Sequence, residues 1–101
     1  MKKPERILKL LLKIPKGKVT TYGELAKKTK TSPRAVGQVM RNNKHPKKYP
    51  CYKVIMSDGS VGGYCGKLSG KHVRRKVSML KKDGIKIENN KIDLKKYMHR
   101  F

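Results

Sequence analysis

Acidic side chains are scarce in this 101-residue chain: six Asp and Glu stand against 28 Lys and Arg, a formal charge of +22 at pH 7. That imbalance excludes a surface neutralised by its own ion pairs. Self-repulsion of this size opposes compaction and implies a polyanionic partner. Nucleic acid ranks first, because cations that neutralise phosphates release counterions and give salt-dependent affinity. An anionic membrane surface competes, and a lysine-rich face kept only for solubility ranks well below nucleic acid. Long apolar runs are missing too. The richest, ILKLLLKI at residues 7–14, is broken by lysines and far too short to cross a bilayer, and no N-terminal secretory signal is visible. The expectation is an intracellular protein with reduced thiols. Cysteine is itself scarce: Cys51 and Cys65 are the pair, and a disulfide between them runs against that compartment. The length suits one small domain with a modest core.

What is present follows a helical rhythm. Residues 4–14 read as an amphipathic helix with Ile7, Leu8, Leu11 and Leu12 on one face. PKG at 15–17 ends it, and KVTT at 18–21 is extended. Thr21 and Glu24 form a capping box that starts a second helix at Tyr22, with Leu25 and Ala26 inward and an end near Lys30. Ser32 as N-cap and Pro33 as first helical residue open a third helix. Its buried stripe is Ala35, Val36, Val39 and Met40, and Arg34, Gln38 and Arg41 share the opposite face. Two short helices joined tightly, the second with a polar, basic outer face, describe a helix-turn-helix. The expected fold class is therefore mainly α with small β, a winged-helix domain.

Residues 42–50 are a loop, CYKVI at 51–55 reads as a short strand, and Asp58-Gly59 as a turn. Gly62-Gly63-Tyr64 is a glycine loop where backbone can approach a ligand. Residues 69–82 read as a basic helix with Val73, Val77 and Leu80 inward, and residues 85–94 as a hairpin around Asn89-Asn90. The tail, 95–101, is expected to fray. With no repeat and no linker, residues 1–101 form one unit.

Cys51 follows Pro50 and lies beside Lys53 in a cationic chain, features that favour a thiolate nucleophile. Most free cysteines are instead small buried hydrophobes, and composition alone favours that second reading. The surrounding motifs reverse it. IPKGKVTTYGELA (14–26), RAVGQVMRNN (34–43), PCYKV (50–54), DGSVGGY (58–64) and MLKKDG (79–84) follow one another in order. Together they resemble the C-terminal, DNA-binding and active-site domain of the O6-alkylguanine-DNA alkyltransferase family, over nearly all of residues 7–84. The chain starts at the first helix of that domain, so the family's N-terminal domain is absent from it. The expectation is a minimal single-domain member or an excised domain.

The resemblance implies that Cys51 accepts the alkyl group of an O6-alkylguanine extruded from double-stranded DNA, in one irreversible transfer without cofactor or metal. It implies that Arg34 is the finger filling the gap left by the base, that Tyr22 presses the 3′ phosphate, and that Asn43 braces the active-site turn. Gln38, Arg41 and Lys53 are expected among the DNA contacts, and Met40, Val54, Gly63, Tyr64 and Cys65 around the base. Other readings stay open for some of these: a plain phosphate contact for Arg34, a core aromatic for Tyr22. A monomer is expected, with fusion to or partnership with a repair domain such as endonuclease V, and no membrane.

The departures are chemical. The histidine that follows the family's cysteine is Tyr52 here, the arginine is Lys53, and the glutamate that orients the histidine is Asp83. A phenol, with a pKa of about 10, is a poor general base near neutrality. Asp83 stands at a helix end, where the macrodipole disfavours an anion. It either contacts Tyr52, directly or through water, or pairs with Lys81 or Lys82 at the surface. The competing function is that of the alkyltransferase-like lesion sensors, which share the domain but replace the reactive cysteine.

Overall fold

The computed structural model describes residues 3–45, 47–62 and 70–101. Helix α1 (Lys3–Leu11) is followed by strand β1 (Thr20–Thr21), α2 (Tyr22–Thr29), α3 (Pro33–Arg41), a 3-10 turn (Cys51–Lys53), β2 (Val54–Ile55), α4 (Gly70–Lys82) and α5 (Leu94–Tyr97). The architecture is the expected one, mainly α with small β around a helix-turn-helix.

Local chemistry explains the helix-turn-helix. The Thr21 hydroxyl accepts from the Glu24 N–H at 3.0 Å and caps α2. Lys30 turns left-handed at φ 57° beyond its end, and the Thr31 N–H returns to the Ala26 carbonyl at 2.9 Å. The Ser32 hydroxyl then caps α3 through the Ala35 N–H at 3.1 Å, with Pro33 in the first turn. Three residues thus close one helix and open the next.

The core has two parts. Ile7, Leu11, Ile14, Leu25, Ala26, Val36 and Met40 pack with Cys51 and Val54 beneath the first three helices. Val19, Ile55, Val61, Leu80, Ile85 and Ile92 form the second part. Strands β1 and β2 join them as a parallel pair, Thr20 opposite Val54 and Thr21 opposite Ile55. The hairpin is reduced to the Glu88–Lys91 bridge, with Asn89 and Asn90 both at positive φ.

Four expectations need correction. Helix α1 stops at Leu11 and winds on in tighter turns, Leu12 N–H to Lys9 O and Lys13 N–H to Leu10 O. The changed winding leaves Leu12 56% exposed and buries Ile14 in its place. CYKVI is not strand throughout: Cys51–Lys53 coil into the 3-10 turn, closed by the Lys53 N–H on the Pro50 carbonyl at 3.1 Å. On α4, Val73 and Val77 are half-buried and Lys76 takes the deepest position beside Leu80. The tail does not fray. Val19 donates to the Tyr97 carbonyl at 2.8 Å and accepts from the His99 N–H at 2.7 Å, so the last residues lie along β1 as a further rung.

Candidate active site

The Cys51–Lys53 turn is held from several directions. Asn43, itself buried, donates from Nδ2 to the Tyr49 carbonyl at 2.9 Å and accepts the His45 N–H at 3.0 Å. The loop entering the turn is thereby pinned two residues before the thiol. Lys53, expected to face DNA, is buried instead, with its ammonium on the Ile14 carbonyl at 3.0 Å and 5.9 Å from the Tyr52 ring centre. The reason is the helical turn itself, which rotates Lys53 inward to satisfy a carbonyl beyond the end of α1. Lys76 of α4, fully buried, donates to the Val54 carbonyl at 2.6 Å just beyond the turn. Sequence reasoning missed Lys76 as a site residue. Its i−3 and i+4 neighbours, Val73 and Leu80, were assigned inward, and that spacing is the available signal.

Tyr52 Oη donates to Asp83 Oδ2 at 2.6 Å. The contact is direct and joins the Cys51–Lys53 turn to the end of α4, at a separation typical of a hydroxyl bonded to a carboxylate. Asp83 therefore does not serve merely as an exposed helix-end charge. His45, the nearest histidine in sequence, is exposed in its loop.

Cys51 is 4% exposed and belongs to the first core cluster. Tyr22 packs on the same cluster, and its phenol is held above the ordinary 10.0, chiefly by burial and then by the negative charge of an ionised Cys51. Met40 and Val54 are buried in that cluster as well. Gly63, Tyr64 and Cys65, the other expected pocket residues, lie outside the described residues.

Tyr22 also lines an open groove of about 470 Å³ with Pro33, Arg34 and Gly37 of α3 and Met56, Ser57 and Asp58 of the opposite turn. Arg34 is exposed at the start of α3, and a Cβ on Gly37 would meet nothing within 4 Å. Gln38 does not share this edge. It lines a second groove, between α3 and α1, with Leu8, Ala35 and Val39 among others. Arg41 is exposed in the last turn of α3. Arg34, Gln38 and Arg41 are all exposed and, at i, i+4 and i+7, keep to one face of α3, with the first groove on one flank and the second on the other. Among the described residues no cluster of three His, Cys, Asp or Glu could hold a metal ion, and no helix is long and apolar enough to cross a membrane.

Comparison with known proteins bears on the family and the fold. The family described as 6-O-methylguanine DNA methyltransferase, DNA binding domain, matches residues 3–85. The chain is 47% identical over 90 residues, 87% of its length, to a bifunctional methyltransferase/endonuclease of Picrophilus torridus, and covers 28% of that protein. It is 36% identical over 83 residues to a methylated-DNA–protein-cysteine methyltransferase of Methanothermobacter thermautotrophicus, covering 82% of this chain and 44% of the relative. It thus spans less than half the length of these two curated relatives. Among solved structures, S. pombe Atl1 in complex with damaged DNA containing O6-carboxymethylguanine superposes with a TM-score of 0.85 at 26% identity, over 98% of this chain and 95% of Atl1. The O6-methylguanine-DNA methyltransferase of Pyrococcus kodakaraensis superposes with a TM-score of 0.69 at 36% identity, over 81% of this chain and 46% of that one. With the motifs, the helix-turn-helix and the buried cysteine turn on the page, the chain belongs to the O6-methylguanine-DNA methyltransferase family and carries its DNA-binding domain.

Proposed function

We propose that this protein extrudes an O6-alkylguanine from duplex DNA and transfers the alkyl group irreversibly to Cys51. The observation that carries this reading is a thiol 4% exposed on a turn anchored through Asn43, Lys53 and Tyr52. A nucleophile so enclosed cannot reach a base inside a duplex; the base has to come to it, at a cost of a few kcal/mol for unpairing. The groove beside α3 is the approach. Arg34 at its edge is the side chain that fills the vacated stack, and the bare backbone of Gly37 lets α3 press close to the DNA.

In the transfer, Cys51 Sγ forms a bond to the alkyl carbon while the bond from that carbon to guanine O6 breaks. The thiol proton leaves toward the Tyr52–Asp83 pair, and the departing guanine regains a proton. The phenol is a weaker base than the family's imidazole, so thiolate formation leans on the buried ammonium of Lys53 within the cationic domain. Lys76 keeps the strand after the turn in place through the Val54 carbonyl. The fused endonuclease of the Picrophilus relative supports a partnership with a second repair domain.

A second reading rests on two observations. Tyr52 replaces the family's histidine, and the domain superposes on nearly the whole of Atl1. A lesion sensor would bind the alkylated duplex without repairing it. Nucleoside analysis of a duplex carrying one O6-methylguanine, incubated with the protein, separates the two. Conversion to guanine in a one-to-one ratio with protein, absent with Cys51→Ser, is expected. Lesion-selective binding with no conversion contradicts transfer and leaves the sensor.

A further inference from the structure

We propose that the pocket between α1 and the end of α2 grips the phosphate backbone of a second segment of duplex DNA, so that one molecule bridges two duplexes. This rests on the DNA-binding reading of α3 and adds a contact that α3 cannot make.

The charge of the described grooves is unevenly placed. The groove at α3 carries one cation, Arg34, with Asp58 on its far wall. The pocket beneath Tyr97 sets Lys86, Lys91 and Lys96 against Glu88 and Asp93, and Lys86 is ion-paired to Glu88 at 3.0 Å. The α1–α2 pocket, of about 290 Å³, is lined by Arg6, Lys9, Lys13 and Lys28 with Leu10 and Thr29, and contains no acid. All four cations are exposed. Neither ion pair found among the described residues involves them. It is a concave, uncompensated cationic site, suited to a chain of phosphates. Arg6, Lys9 and Lys13 follow at i, i+3 and i+7, which lines them along one side of α1 and its last turns.

Position argues that the occupant is a second segment. Tyr22 marks the α3 groove at the first residue of α2, whereas Lys28 and Thr29 mark this pocket at its last turn. The two linings share no residue: the α3 groove takes none from α1, and this pocket takes none from α3. Around the helices, the groove between α3 and α1 lies between them.

The test is capture of a labelled duplex by an immobilised duplex, mediated by the full chain kept below saturation, in about 0.15 M salt, where screening extends over about 8 Å. The comparison is the variant Arg6→Gln, Lys9→Gln, Lys13→Gln, Lys28→Gln, checked for folding by circular dichroism. Capture by the wild type, reduced at least fivefold in the variant while both bind a single duplex with similar salt slopes, is expected. Capture that persists in the variant overturns the proposal. So does an absence of capture by a wild type that binds the first duplex. A salt slope shallower by about 3 to 4 in the variant would place the four cations on the same duplex and overturn it too. A wild type that binds neither duplex removes the DNA-binding reading and the proposal with it.

Discussion

At the scale of single residues, the proposed transfer turns on the exchange of histidine for Tyr52. The Tyr52 hydroxyl lies 2.6 Å from the Asp83 carboxylate, so the proposed relay would run through a base of a different kind. Tyr52→Phe should cost about 2 kcal/mol of stability through a lost charge-assisted hydrogen bond and slow alkyl transfer about tenfold. The pH–rate profile of the wild type should rise with a thiol-like pKa and show no imidazole limb. An unchanged rate in Tyr52→Phe would remove the phenol from the chemistry. Tyr22 provides a second pH signature. Burial holds its phenol neutral above its ordinary pKa, so the unfolded chain loses this proton before the native one does. Stability contributed by neutral Tyr22 is therefore complete below about pH 10 and is lost as pH rises beyond it. Tyr22→Phe should flatten that alkaline fall in Tm. Cys51, Tyr52 and Asp83 were legible because motif order and the departures from it single them out. Lys76 was not, because a lysine among basic neighbours reads as a solvated side chain until the Val54 carbonyl is found against it.

At the scale of elements, the helices were legible through their ends. Thr21 and Ser32 are side-chain caps with a physical signature in sequence, and both act as such. The 3-10 turn was hidden because residues 51–55 have the composition of a strand, while the Pro50 carbonyl closes a turn there and the Ile14 carbonyl, distant in sequence, holds the Lys53 side chain inward. The tail was hidden because its pairing is to Val19, a contact no local pattern announces. Gly37 separates packing from function. With open space around its absent Cβ, Gly37→Ala should stabilise the free protein by about 1 kcal/mol and weaken duplex binding where α3 approaches the DNA. Greater stability with unaltered affinity would show that the glycine serves no approach. Gly59 is the contrasting case: at φ +91°, with a Cβ falling 2.7 Å from the Ile92 carbonyl oxygen, Gly59→Ala should disrupt the second core cluster and sharply lower Tm.

At the scale of the whole molecule, a formal charge of +22 is the dominant fact. Raising salt from low concentration toward the physiological range should raise Tm, because self-repulsion is screened, while duplex affinity falls steeply as counterion release loses its drive. The two trends in opposite directions distinguish a DNA-binding surface from a surface kept for solubility, which would show the first alone. Charge made the polyanionic partner legible from composition; the sequence did not reveal which cations line a common pocket, because that depends on how α1 meets α2. The central claim remains that the buried thiol exists to be alkylated. Its most direct test is the intact mass of the protein after mixing with a duplex bearing one O6-methylguanine, beside Cys51→Ser. A gain of one methyl group, mapped to Cys51 and absent from the variant, is the result predicted here; an unchanged mass with lesion-selective binding intact would contradict it.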